Sequence, residues 1–295
     1  MMAWFVTGVD AYLDGPLLLA GLAGLGLAVG VLTGLFGVGG AFMATPLLNV
    51  LFGIPYPHAV ASSLSFTIGT SASGVRRHLR LGNFESRSIV MLACGAFAGS
   101  LLGGKANVSL QGVMGKDHFT LTMHGLFAVL LVAAALIIAW PSPSMSGRKS
   151  LLQRLPIGPR IDLPRANLYG VSMPGTVATG ALMGFASGMM GIGGGVLMVP
   201  LLVTVLGLSA HKAVGTSLGV IVISSIAGTI FYGLKGDVTL WIVMPLLAGS
   251  TIGIQIGAAI CERLHQKRLK QYFAVVLFVT AVVVASDFVR TMMSG

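Results

Sequence analysis

Long apolar runs and short polar gaps alternate along the chain, and the runs come in two sets of five. The first set covers 16–36, 41–52, 59–79, 88–104 and 119–140; the second covers 174–190, 196–206, 213–234, 240–260 and 272–289. Most are long enough for a helix rising 1.5 Å per residue to cross about 30 Å of hydrocarbon. The second run of each set is too short to cross comfortably, and predicts a broken or re-entrant helix.

The two sets are copies. At an offset of 154 residues the halves align without a gap from Gly26 to about Gly103. FGVGGAFMATPLL at 36–48 falls on MGIGGGVLMVPLL at 190–202, which pairs Gly37, Gly39, Gly40 and Pro46 with Gly191, Gly193, Gly194 and Pro200. HAVASSL at 58–64 falls on KAVGTSL at 212–218. Two glycine ladders also match: Gly26, Gly30 and Gly34 with Gly180, Gly184 and Gly188, and Gly95, Gly99 and Gly103 with Gly249, Gly253 and Gly257. Chance likeness between apolar stretches would not keep glycines and prolines in register, so the chain is an internal duplication. The domain reading is a first transmembrane repeat at 1–140, a Pro/Ser/Arg-rich aqueous linker at 141–172 and a second transmembrane repeat at 173–295.

Composition agrees with an all-α integral membrane protein. Of 295 residues, 55% are hydrophobic and 9% charged, with a mean hydropathy of +0.92, where soluble domains carry about 25% charged residues. The net charge of +10 would suit nucleic acid only on a folded polar domain, which this chain has no room for. The N-terminal stretch carries Asp10 and Asp14 and no basic residue, the wrong flank for a cleaved signal peptide, so the first helix is expected to stay. Cys94 and Cys261 have no metal-like spacing and read as free, packed thiols.

The basic residues serve as topology signals. With Arg148, Lys149, Arg154, Arg160 and Arg165 of the linker in the cytoplasm, and the first two segments of each half forming a hairpin, most of the 18 Lys and Arg fall on the cytoplasmic side. Lys105, Lys116, Lys235 and Arg290 are left outside. Each half then crosses an odd number of times, which places both termini extracytoplasmic and makes the two repeats inverted, the arrangement of secondary transporters.

Candidate chemistry gathers at the breaks. A glycine-rich gap inside hydrocarbon must be buried in protein or line a cavity. Gly37, Gly39 and Gly40, and Gly191, Gly193, Gly194 and Gly195, form such gaps, each followed by a short helix whose free N-terminal amides attract anions. The alternative is that these glycines only permit a tight turn. Ser62 with Ser63, and Thr216 with Ser217, set paired hydroxyls near the start of the third helix of each half; they can donate to an oxyanion or bond a neighbouring helix. Thr33, Ser187, Asn49 and Gln255 are further polar groups in apolar segments, and Gln255 is singled out because Leu101 occupies its paired position. The glycine ladders are read as helix contacts. His58, His124, His211 and His265 lack metal spacing, with His124 alone a candidate for proton relay. No acidic residue lies deep in an apolar segment, which argues against a cation pump built on buried carboxylates. P-loop and HExxH motifs are absent.

The doubled pattern GLFGVGGAFMATPLL…GIPYPHAVASSLS…LGNF…GAFAGSLLG, with its second copy GFASGMMGIGGGVLMVPLL…GLSAHKAVGTSLG…KGDV…GSTIGIQIG, resembles the TauE/SafE family of sulfite exporters and related permeases. The resemblance covers both halves. It implies a bacterial inner-membrane permease for small sulfur oxyanions such as sulfite or sulfonates, including sulfoacetate-like ones. Ala41 replaces, in the first copy, the glycine seen at Gly195. The expectation is thus alternating-access transport with the lipid bilayer and a small anion as partners, no cofactor and no nucleic acid. Whether a proton or sodium is coupled is left open. An anion channel and an intramembrane enzyme are the rivals; no basic ring supports the first and no nucleophile–base pair the second.

Overall fold

The computed structural model describes residues 15–83, 85–114, 116–139, 150–154, 157–265, 268–269 and 271–282. Asp10, Asp14, Arg148, Lys149, Lys267, Lys270, Asp287 and Arg290 lie outside the described residues, as do the side chains of Lys116, Asp117, His124 and Arg165.

The first half holds α1 (Gly15–Phe36), α2 (Ala41–Phe52), α3 (Tyr56–Arg80), α4 (Ser86–Met114) and α5 (Lys116–Ala139). The second half holds α7 (Met173–Met190), α8 (Gly195–Leu201), α9 (Ala210–Gly233), α10 (Leu240–Arg263) and α11 (Gln271–Val282). Between them stand α6 (Leu151–Arg154) and the strands β1 (Arg160–Leu163) and β2 (Leu168–Ser172). Helices α1, α4, α9 and α10 are long and apolar enough to cross a membrane, and Ala41–Phe52 and Gly195–Leu206 are the short apolar pair. The protein is all-α and membrane-embedded in architecture, as its hydrophobic pattern predicts.

Local chemistry sets the element ends. Gly53, Gly191 and Gly207 close α2, α7 and the α8 segment in the left-handed conformation, with φ of 62°, 70° and 84°, which favours glycine. Ser172 caps α7 by accepting the Gly175 N–H at 3.3 Å while donating to the Ile157 carbonyl. Pro46 and Pro200 sit inside the two short helices and withhold an N–H from the carbonyl four residues back. After Pro200 the chain widens into a π turn over Leu202–Leu206. Helix α4 runs ten residues past its predicted end, because KANVSLQG continues the helix although it is too polar for the apolar run.

The linker carries structure of its own. Its second part folds: β1 and β2 pair antiparallel, Ile161 facing Val171, around a turn in which Asn167 takes φ 54°. Leu152, Leu163 and Val171 are fully or nearly buried in the main core, so residues 150–154 and 157–172 pack as a cap on the bundle. Cys261 is buried as expected, whereas Cys94 is exposed on α4.

Helix packing crosses between the halves. The α1–α10 and α4–α7 pairs are the most intimate, and α3 packs on α9 at the centre. A Cβ on Gly26, Gly30 or Gly34 would stand within 2.4 Å of the carbonyl oxygens of Leu246, Ser250 and Ile254. From the other side, Gly249, Gly253 and Gly257 press on the carbonyls of Ala23, Leu27 and Val31. Residues 154 positions away repeat this with the halves exchanged: Gly180, Gly184 and Gly188 meet Leu92, Ala96 and Ser100, and Gly95, Gly99 and Gly103 meet Val177, Ala181 and Phe185. The ladders are therefore helix contacts. Their registers rise together, so α1 runs parallel to α10 and α4 parallel to α7. In the central pair Gly74 meets Leu218 while Leu64 meets Gly228, so α3 and α9 are antiparallel.

Candidate functional site

Every residue of both glycine breaks is buried. Six of their glycines have positive φ: 68°, 75° and 78° at Gly37, Gly39 and Gly40, and 70°, 65° and 73° at Gly191, Gly193 and Gly194. An L side chain is strained there, which explains the residue type at each position. Gly195 needs glycine for another reason: a Cβ would stand 1.8 Å from the Val38 carbonyl oxygen of the other break. Its counterpart Ala41 has room for a methyl, and that methyl lies 3.4 Å from where a Gly193 Cβ would be. The departure of Ala41 from the glycine pattern thus follows from an unequal contact between the breaks.

The two breaks meet at the α3–α9 pair. Gly39 and Gly193 both abut Thr67 and Ile221, and those two residues are themselves 154 positions apart. The Thr67 hydroxyl donates to the Gly39 carbonyl at 2.7 Å. Ser217 Oγ lies 2.6 Å from the Gly37 carbonyl oxygen, and Thr45 of α2 donates to the Gly191 carbonyl at 2.9 Å. Each break is therefore tied down by a hydroxyl from the other half. At the start of α2 the first amides that find a carbonyl are those of Met43 and Ala44, both on Gly40. The amides of Gly39, Gly40, Ala41 and Phe42 donate to no backbone carbonyl among the described residues, and a helix end of this kind carries partial positive charge.

The predicted hydroxyls divide into two kinds. Ser62 and Ser63 are fully buried and their hydroxyls have no partner. Thr216 and Ser217 are occupied: Thr216 accepts the Glu85 amide at 3.3 Å, and Ser217 serves Gly37. Gln255 stands apart. It is exposed on α10, donates to Ser73 at 2.8 Å and borders an outward crevice with Ile256, Ala259, Ile260 and Arg263. Of the other polar groups, Thr33 bonds the Val29 carbonyl, Asn49 bonds the Ile54 carbonyl and Ser187 is buried without a partner.

Several site residues escape sequence reasoning. Thr67 is one. Ser71 and Ser225 are two more: both are fully buried, both lack a partner, and each sits one turn beyond Thr67 or Ile221. They occupy paired positions in the duplication, a polar match inside two central helices, and that match is the signal that would have found them. His78 and Glu85 are the buried members of the His, Lys, Arg, Asp and Glu set among the described residues. Neither follows from the apolar pattern, because both lie where α3 ends in a basic turn.

Chemically the centre offers uncharged donors, amides and hydroxyls, inside an enclosed apolar frame. Such groups stabilise an anion without holding it as tightly as a lysine would. Among the described residues no group of His, Cys, Asp and Glu is arranged to hold a metal ion.

The chain matches the family model described as "Sulfite exporter TauE/SafE" over residues 22–284. It is 26% identical over 260 residues to the probable membrane transporter protein YunE of Bacillus subtilis, covering 86% of this chain and 92% of that one. It is 28% identical over 272 residues to the probable membrane transporter protein MJ0441 of Methanocaldococcus jannaschii, covering 84% and 89%. A probable membrane transporter protein of Xylella fastidiosa is 28% identical over 265 residues, with 88% and 92% covered. No solved structure matches the chain. A duplicated helical frame closing on two glycine breaks, matched along nearly its whole length by one family, makes this chain a multi-pass membrane transporter, and not an enzyme, of the TauE/SafE sulfite exporter family.

Proposed function

We propose that the protein is a secondary transporter for small sulfur-containing oxyanions such as sulfite and sulfonates, held at the N-terminal ends of α2 and of the Gly195–Leu206 segment. The observation that carries this is the convergence of both breaks on Thr67 and Ile221, beside free amides and the unpartnered hydroxyls of Ser62, Ser63, Ser71 and Ser225. The sulfur substrate class rests on the family; the site supports a small anion.

Alternating access between inverted halves fits the helix directions. The antiparallel α3 and α9, with α1 parallel to α10 and α4 parallel to α7, are what a two-fold axis lying in the membrane plane produces. The distribution of Lys and Arg favours a bacterial inner membrane with a cytoplasmic linker and extracytoplasmic termini. A channel reading is weaker, because no ring of charge is buried among the described residues.

Purified protein in liposomes tests the reading. Preloaded sulfite should exchange with external labelled sulfite in a saturable way and without unitary currents. Voltage-driven single-channel events, or no flux of either sulfite or methanesulfonate, would overturn it.

A further inference from the structure

The turn of α9 from Val214 to Ser217 has the first break on one side. Gly37 packs on Val214, and Ser217 holds the Gly37 carbonyl. On its other side lies a pocket of buried ionisable groups. A Cβ on Gly215 would stand 3.2 Å from the His78 Cβ and 1.7 Å from the Asn83 carbonyl oxygen, and Thr216 accepts the Glu85 amide. His78 is 0% and Glu85 1% exposed. Both ring nitrogens of His78, the Oε2 atom of Glu85 and the hydroxyl of Ser88 have no hydrogen-bond partner. The ring points toward Gly34 of α1 without closing a bond to it.

Buried polar atoms without hydrogen-bond partners are rare in a folded frame, and here the His78 ring nitrogens and Glu85 Oε2 lie together beside the turn that holds the first break. The same positions in the other half are inert. His78 corresponds to Tyr232, whose hydroxyl donates to Gly188 at 2.8 Å; Glu85 corresponds to Thr239 and Ser88 to Ile242. One end of an otherwise doubled frame therefore carries a buried imidazole and a buried carboxyl, and the other does not.

We propose that His78 and Glu85 form the proton site of this transporter, coupled to the anion through the Val214–Ser217 turn. This rests on the transport reading above. One proton joins the His78–Glu85 pocket as one monoanion joins the breaks, and both leave on the other side of the membrane, so the cycle is electroneutral and only the N–H or O–H bond of the site forms and breaks. The proton's charge offsets the anion's in a centre that has no cation of its own. Arg77 and His211 are the basic side chains that face His78. Arg77 pairs with Glu262 of α10 at 3.7 Å, and His211 Nε2 lies 3.1 Å from the Leu264 carbonyl at the end of α10. Lys212 of α9 is engaged. Arg87 of α4 donates away from the pocket to the Asp162 carbonyl, and α1 brings no ionisable side chain.

Glu85→Gln and His78→Gln test this with two readouts. Methanesulfonate is the probe, since its charge is fixed between about pH 5 and pH 8. In the parent, a gradient of one pH unit should sustain about tenfold accumulation. Both variants should lose accumulation by a larger factor than exchange at equal pH. Independently of any anion, infrared difference spectra across that pH range should show a protonated carboxyl band that Glu85→Gln removes. Accumulation unchanged in both variants, or no band assignable to Glu85, would overturn the proposal. If the parent exchanges neither sulfite nor methanesulfonate yet shows the band, the transport reading fails and the proton site stands. Glu85→Gln removes a buried ionisable oxygen that has no partner, so loss of folding is not expected; a misfolded His78→Gln would leave Glu85→Gln to decide.

Discussion

Ser217 reaches 2.6 Å to the carbonyl oxygen of Gly37, 180 residues away, whereas Ser63, its counterpart in the duplication, makes no hydrogen bond at all. The Gly191 carbonyl that Ser63 would serve is taken by Thr45. Two hydroxyls with the same ancestry therefore do different work.

Ser217→Ala should cost about 1–3 kcal/mol of stability, the loss of a buried hydrogen bond that leaves a carbonyl unsatisfied. Ser63→Ala should leave thermal unfolding in detergent nearly unchanged and weaken sulfite exchange instead. If the two variants show the same loss of stability, the distinction is wrong.

Gly39→Ala and Gly193→Ala both force a side chain into positive φ, at about 1–2 kcal/mol. They differ in space. A methyl at Gly39 would lie 2.6 Å from Ile221 Cγ2, while at Gly193 nothing is nearer than 3.4 Å. Gly193→Ala should therefore fold with a modest loss and Gly39→Ala should be less stable. Valine at either position should abolish transport. Anion exchange per amount of monodisperse protein is the measurement, and parental rates in folded Gly39→Val and Gly193→Val would place the anion elsewhere.

Gly253→Ala sets a methyl 2.2 Å from the Leu27 carbonyl, so α1 and α10 must separate. A lower unfolding midpoint, by about 1–3 kcal/mol equivalent, is expected. Gly24→Ala on α1 meets nothing within 4 Å and should leave the midpoint unchanged or slightly raised.

The membrane orientation is checked by cysteine labelling after Cys94 and Cys261 are replaced by alanine. Tyr169→Cys, exposed on β2, should resist a membrane-impermeant maleimide in intact cells. Leu234→Cys, exposed past the end of α9, should react. The opposite pattern would invert the topology.

The sequence carries the helix positions well because hydrocarbon thickness constrains run length. Ala41–Phe52 has the bounds that its apolar run predicts. Where polarity and helix part company it fails, as at residues 105–114, which stay helical, and at 160–172, where a hairpin forms without a strong alternating pattern. The breaks are legible because positive φ selects glycine. Which hydroxyl is occupied is not, since that depends on contacts between halves: Thr45 and Ser63 compete for one carbonyl, and nothing in either segment says which wins. Gln255 lacks a polar counterpart in the first half, but residue type does not tell which face of α10 it lies on.

The interlocking of the glycine ladders bears on what can move. The tight partner of α1 is α10, and that of α4 is α7, so the rigid pieces of this machine are hybrids, each assembled from both copies of the ancestral unit. A gene cut at the linker would yield two fragments that each bare two rows of glycines with nothing to meet. Neither should persist alone in the bilayer, and the pair should assemble when made together. Duplication here has produced not two modules joined by a string but one object that exists only once both copies are present.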